Sequence, residues 1–146
     1  MATEAGAQVE WPVSNGHEVV TPAGLAPAVG FAHAIVAAPG QLVLLAGQTA
    51  QDEHGVVRGE GMVEQFDRAI ANLLTAVRDA GGKPHHVVSL TIYVTDMDAY
   101  RHATRELGET WRAHFDRHYP AMALVEVTSL VDPAALVEVQ GVAVIA

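Results

Sequence analysis

The chain has 146 residues, half of them hydrophobic and 17% charged, which is the size and composition of one folded domain. Its 17 acidic and 8 basic residues give a net charge of -9, which disfavours binding to the phosphate backbone of a nucleic acid. It contains no cysteine, no apolar run of about 18 residues and no signal-peptide pattern, so we expect a cytoplasmic protein without disulfides, thiolate chemistry or membrane contact.

The sequence of the first half of the chain predicts strands followed by a helix. Residues 19–21 are predicted to pair at a sheet edge, and residues 33–38 and 41–46 are strand-like runs. Pro39-Gly40 lies between these runs, so we predict that they form a hairpin. Apolar residues recur at intervals of three and four from 62 to 80, which predicts an amphipathic helix.

The second half predicts a strand, a helix and a closing hairpin. Residues 87–94 alternate between apolar and polar side chains. Asp96 or Asp98 is placed to cap a second helix that runs to about His118. The last third of the chain reads as two alternating strands joined by a turn at residues 131–133.

The predicted order of elements favours a single α+β domain over residues 1–146. Two helices are too few to cover both faces of the sheet, so they are expected to pack on one face. The uncovered face would carry Ser89, Thr91, Tyr93 and Glu138 and would meet solvent or another copy of the chain.

Few residues in the sequence are candidates for metal binding or catalysis. His114 and His118 are spaced for one helix face, but no third ligand is evident, so we expect no metal and no cofactor. Glu138 stands between apolar residues on the last strand. It is either an ordinary solvent-facing residue or a carboxylate that faces a cleft and positions a water molecule.

Five stretches in order resemble the RidA (YjgF) family. They are Ala26–Ala34, Leu45–Gln48, Val63–Gln65 with Asn72-Leu73, Thr91–Asp98, and the closing segments Tyr119–Ala121, Val125–Val127 and Leu136–Val139. The resemblance implies a chorismate-mutase-like fold and a homotrimer with a small-molecule cleft between each pair of subunits. It also implies hydrolysis of enamines and imines to keto acids and ammonia.

The resemblance places several residues in that cleft and also marks a departure from the family. Gly47-Gln48 and Glu138 match the family's turn and its water-positioning carboxylate. Met122 stands where the deaminases have the arginine that binds the substrate carboxylate, and Phe31 stands where a tyrosine is usual. With Leu130 nearby, these substitutions predict a cleft mouth that suits a less polar ligand.

The second helix offers one candidate for the missing cation. Counted back from Pro120-Ala121, Arg105 falls where family members often have a cleft-facing asparagine on the second helix. Arg105 is therefore either the substitute cation or an ordinary exposed helix residue.

The resulting functional hypothesis is a RidA-family protein that binds a small metabolite between subunits and is not a standard 2-aminoacrylate deaminase. The first alternative is a deaminase with relocated substrate contacts. An endoribonuclease-type role is a weaker alternative because of the acidic charge. A purely structural or partner-binding trimer is also left open.

Overall fold

A computed structural model describes residues 8–9 and 16–146 of the chain. The strands are β1 (Gln8–Val9), β2 (Glu18–Val20), β3 (Ala34–Val36), β4 (Gln41–Gln48), β5 (Val87–Val94), β6 (Ala121–Glu126) and β7 (Val137–Ile145). The α-helices are α1 (Gly61–Asp79), α2 (Met97–His102) and α3 (Thr104–Phe115), and a short 3-10 helix spans Pro84–His86.

The main sheet has four strands in the order β4-β7-β5-β6. β7 is antiparallel to both of its neighbours, whereas β5 and β6 run parallel. A smaller antiparallel sheet has the order β1-β2-β3. The mixed sheet and its helices confirm the predicted α+β class.

The first predicted hairpin is wrong, although both of its strands exist. β3 pairs with β2, and β4 pairs with β7 from Gln41 opposite Ile145 to Gln48 opposite Val139. The long, apolar β7 provides β4 with a partner over its whole length, so the turn at Pro39-Gly40 connects two sheets instead of two paired strands.

The closing hairpin is wrong as well. β6 and β7 do not pair with each other, because β5 lies between them in the sheet. The connection at residues 127–136 is long enough to pass over the end of β5, where the Val127 amide donates to the Val94 carbonyl. α2 and α3 provide the crossover that parallel strands such as β5 and β6 require.

The two predicted helices form, and both pack on one face of the main sheet. α1 buries the expected apolar stripe against β4 and β7, including Phe66, Ile70 and Leu73. The second helix is broken at Ala103 into α2 and α3 and ends at Phe115, before the predicted end. The Asp96 carboxylate accepts a hydrogen bond from the Ala99 amide at 2.9 Å, as its predicted capping role requires.

The other face of the main sheet carries large apolar side chains that none of the described residues covers. Leu42 and Leu44 on β4 are 65% and 75% exposed, and Val125 on the edge strand is also exposed. Such an apolar sheet face is typical of a surface that meets another protein chain. Among the described residues, no helix has the length and hydropathy needed to cross a membrane.

His118 lies just beyond α3 and is buried rather than solvated. Its Nε2 lies 2.6 Å from the Val87 carbonyl oxygen. Burial is the main cause that lowers the pKa of His118 to about 4, and the bond to Val87 only partly opposes it. The neighbouring rings that disfavour its charged form further are His85, His17 and His86.

This burial predicts a stability that falls in mild acid. An unfolded histidine has a pKa of about 6.5, so protons favour the unfolded chain once the pH drops below that value. The contribution of His118 is complete above about pH 6.5 and is lost as the pH falls towards 4, where the loss reaches about 3 kcal/mol. Urea midpoints at fixed protein concentration measure this slope.

The matched control is His118→Gln, whose amide can still donate towards the Val87 carbonyl but does not titrate. We expect its stability to depend less steeply on pH between 6.5 and 4. An unchanged slope in His118→Gln would contradict the assignment to this ring.

Candidate functional site

Glu138 lies in a small cavity of about 310 Å³ on the uncovered face of the main sheet. Tyr93 is its partner on β5, and the Tyr93 hydroxyl donates to the Gln140 side-chain oxygen at 3.2 Å. Ser129 and Leu130, from the connection after β6, close another side. Glu138 is half-buried, so its carboxylate can contact both the cavity and a water molecule.

Gly47 makes room for that carboxylate. A Cβ atom at Gly47 would lie 2.9 Å from Glu138 Cδ and closer still to Oε1, which no ordinary side chain allows. A side chain at position 47 would therefore displace the Glu138 carboxylate, and glycine leaves it where it lies. Gly47 and Glu138 of a single chain thus lie side by side.

Phe31 and Met122 lie in a different and larger cavity of about 480 Å³. Met122 is on β6, opposite the buried Leu90 of β5. Phe31 reaches the same place because the Ala32 amide donates to the Pro120 carbonyl at 3.0 Å, which holds its segment along the start of β6. This second cavity therefore sits at the outer edge of the sheet, below the helices.

The wall of the larger cavity is built by the second helical region. Tyr100, Thr104, Gly108 and Arg112 line it at intervals of four residues, so they form one row along α2 and α3. Burial raises the pKa of the Tyr100 phenol.

Aromatic rings make the rest of this wall rigid. Trp111 stacks on Phe115 with centroids 4.2 Å apart and on Tyr119 at 5.9 Å. The Trp111 ring nitrogen donates to the His118 carbonyl at 3.1 Å, which fixes its orientation. Trp111 and Tyr119 both border the cavity, so a ligand there would meet flat apolar surfaces.

The two cavities lie on opposite faces of the sheet. Glu138 pairs with Tyr93, whereas Met122 pairs with Leu90, and residues three apart on one strand point to opposite sides. Within one chain the predicted cleft residues thus form two groups. Gly47, Leu130 and Glu138 make up one group, and Phe31 and Met122 make up the other.

Gln48 and Arg105 line neither cavity. Gln48 is half-buried beside Gly47 and pairs with Val139. The Arg105 side chain is 89% exposed, and its Nε lies 3.7 Å from the Glu109 carboxylate. The expectation that Arg105 faces the cleft is therefore not met within the chain, because its position on α3 directs it towards solvent.

The cation that borders the larger cavity is Arg112, which sequence reasoning missed. A signal was present in the sequence, since Arg112 follows Gly108 by four residues and Trp111 by one. A glycine in a helix interior, followed by a cation one turn later, indicates a side chain that lies back over the glycine.

The histidines do not assemble a metal site in the described part of the chain. His114 lies 2.6 Å from the Asp67 carboxylate and connects α3 to α1, while His118 is bonded to the Val87 carbonyl. No group of three or more histidine, aspartate or glutamate side chains within residues 16–146 is arranged to hold a metal ion.

Comparison with known proteins identifies the family. A RutC family protein of Pyrococcus abyssi is 30% identical over 106 residues, which cover 71% of this chain and 79% of that protein. Among solved structures, YyfB of Yersinia pestis, a protein of the conserved Rid family, has a TM-score of 0.80 at 28% identity and covers 90% of this chain and 99% of its own. RidA from an Antarctic Psychrobacter has a TM-score of 0.63 at 27% identity, with coverage of 82% and 92%. The model of the family described as Endoribonuclease L-PSP matches residues 21–145, and the chain therefore belongs to this family, the RidA/YjgF family.

Proposed function

We propose that this protein binds a small, mostly apolar metabolite in clefts between the subunits of a homotrimer. In each cleft the Phe31–Met122 cavity of one copy would meet the Gly47–Glu138 cavity of the next. The observation that carries this proposal is the contact of Glu138 with Gly47, because it leaves a carboxylate ready to hold a water molecule beside an otherwise apolar site.

The separation of the two cavities supports a composite site. A single ligand cannot touch Met122 and Glu138 of the same chain when the sheet lies between them. A second copy that places its Glu138 at the outer edge of β6 would bring the two halves together. The exposed Leu42 and Leu44 beside β7 provide an apolar surface for that contact, and homotrimers are typical of the family.

The loss of the strand arginine separates this protein from a standard deaminase of 2-aminoacrylate. Met122 cannot bind a carboxylate, and a hydrogen bond to a charged group is worth about 1.5–3 kcal/mol. A small, polar imino acid would therefore bind weakly at this position.

A second candidate is the hydrolysis of a bulkier imine or enamine, and the retained Gly47–Glu138 contact favours it. Glu138 would take a proton from the bound water as the water oxygen adds to the carbon of the protonated imine, and it would return that proton to the nitrogen of the resulting carbinolamine. The C–N bond would then break as the hydroxyl group loses its proton, so that ammonia leaves and a keto acid remains. An endoribonuclease role is disfavoured by the net charge of -9, which repels a phosphate backbone.

The trimer can be tested at the uncovered face. Leu44→Glu places a charge on a side chain that is 75% exposed in one chain and that we expect to be covered in the assembly. Sedimentation should give a mass about three times that of one chain for the unmodified protein and a smaller species for Leu44→Glu. Ala76→Glu, an exposed position on α1, is the control that should leave the assembly intact.

The role of position 122 can be tested by restoring the arginine. We expect the unmodified protein to release ammonia from enzymatically generated 2-aminoacrylate at the spontaneous rate. Met122→Arg should raise that rate at least tenfold, and adding Glu138→Gln should remove the gain. If the unmodified protein already releases ammonia faster than the spontaneous rate, and Glu138→Gln alone abolishes that activity, the deaminase alternative is established instead.

The contact between Gly47 and Glu138 can be tested by adding a methyl group at position 47. Gly47→Ala should push the Glu138 carboxylate out of place, since the added methyl would fall within 2.9 Å of Cδ. The ammonia release gained by Met122→Arg should then fall to the level of the Glu138→Gln double variant. Gly24→Ala is the matched control, because a Cβ there meets nothing within 4 Å.

A further inference from the structure

We propose that Arg112 is the anion-binding group of the Phe31–Met122 cavity, so that the ligand is an amphipathic monoanion with an aromatic or branched apolar body. This inference rests on the proposed function and specifies the ligand of the same site. It assigns the carboxylate contact to α3 instead of to the strand position that Met122 occupies.

The charge of the cavity wall is the first support. The 15 residues that line the cavity contain one cation, Arg112, and no aspartate or glutamate. Arg58, Arg101 and Arg105 each have a carboxylate within 4 Å. Arg112, in contrast, has no ion-pair partner among the described residues. Its guanidinium can therefore form a bidentate pair with a ligand carboxylate.

The position of the guanidinium is the second support. Side chains on a helix lean towards its N-terminus, so Arg112 lies over the residue four positions earlier, which is Gly108. A Cβ atom on Gly108 would stand 3.4 Å from one terminal nitrogen of Arg112 and 3.9 Å from the other. The guanidinium therefore lies against the helix at the cavity wall.

Gly108 lies inside a helix although glycine destabilises helices, so the choice of glycine at this position needs an explanation. A glycine inside a helix destabilises it by about 1 kcal/mol relative to alanine. Its backbone has no positive φ that would demand a glycine. A side chain longer than that of alanine would occupy the space in which the Arg112 guanidinium lies.

The other side chains that line the cavity indicate the shape and polarity of the apolar part of the ligand. Phe31, Trp111, Tyr119 and Met122 present aromatic and thioether surfaces, which suit a ring or a branched chain. The volume of about 480 Å³ lies within the range of sites for small organic ligands, about 300–1,000 Å³. The hydroxyl groups of Tyr100 and Thr104 lie in the same helical row as Arg112 and can donate to an oxygen of the ligand.

Fluorescence of Trp111 can report binding directly. The chain has two tryptophans, so Trp11→Phe leaves Trp111 as the single emitter. The probe is phenylacetate, which carries a ring and a carboxylate, and phenylacetamide is its neutral counterpart. We expect saturable quenching by phenylacetate, at least tenfold weaker binding in Arg112→Gln, and equal affinity of both proteins for phenylacetamide.

Two variants test whether the loss is specific to Arg112. Arg101→Gln removes the same charge from an exposed position that does not line the cavity, and it should bind phenylacetate as the unmodified protein does. Gly108→Ala should raise the urea midpoint, because its methyl removes the helix penalty, and should leave phenylacetate binding unchanged, because a Cβ atom there lies at an ordinary contact distance of 3.4 Å from the guanidinium. It therefore shows whether a more stable helix by itself changes binding.

The inference is overturned if Arg112→Gln binds phenylacetate as well as the unmodified protein, or if Arg101→Gln or Arg105→Gln loses as much affinity. It is also overturned if the unmodified protein shows no saturable binding.

The inter-subunit cleft of the proposed function is contradicted by a different result. If phenylacetate binding depends on Arg112 but Leu44→Glu leaves both assembly and binding unchanged, the cavity belongs to one chain and the inter-subunit cleft is wrong.

Discussion

The pairing of β5 with β7 at the centre of the main sheet determines which side chains are buried and which can meet a ligand. Along these strands Leu90, Ile92, Val137 and Val139 face the helices, and the residues between them face the other way. Because Tyr93 stands opposite Glu138, the carboxylate belongs to the uncovered face. Moving Glu138 to the helix side would require a slip of the register that also exposes the core.

The helix α1 and the strand β5 could be read from the sequence because each is amphipathic on its own. The strand at residues 87–94 was predicted to the residue, and the helix at 62–80 to within one residue at each end. The pairing of strands was not predictable in this way. Turn signals at Pro39-Gly40 and at residues 131–133 favoured local hairpins, but partner choice was determined by burial of β7 between β4 and β5.

The candidate site was predictable only in part, because its residues also come together from distant parts of the chain. The contact of Gly47 with Glu138 joins residues 91 positions apart, and only the likeness to a family indicated it. Arg105 was chosen by counting positions, whereas solvent and Glu109 hold its side chain in the structure. The spacing of Gly108 and Arg112 indicated that the two residues lie together, but only the folded structure shows that Arg112 borders the cavity.

The place of β7 has a consequence for how the protein is made. β7 is the last of the described elements in chain order, yet it lies between β4 and β5 and carries Glu138. Its pairing with β4 joins Gln41 to Ile145, a contact of long sequence separation that is slow to form. During synthesis β4, α1 and β5 emerge before their central partner, so an incomplete chain exposes apolar strand edges that can aggregate. Closure of the core and placement of Glu138 therefore both wait for β7.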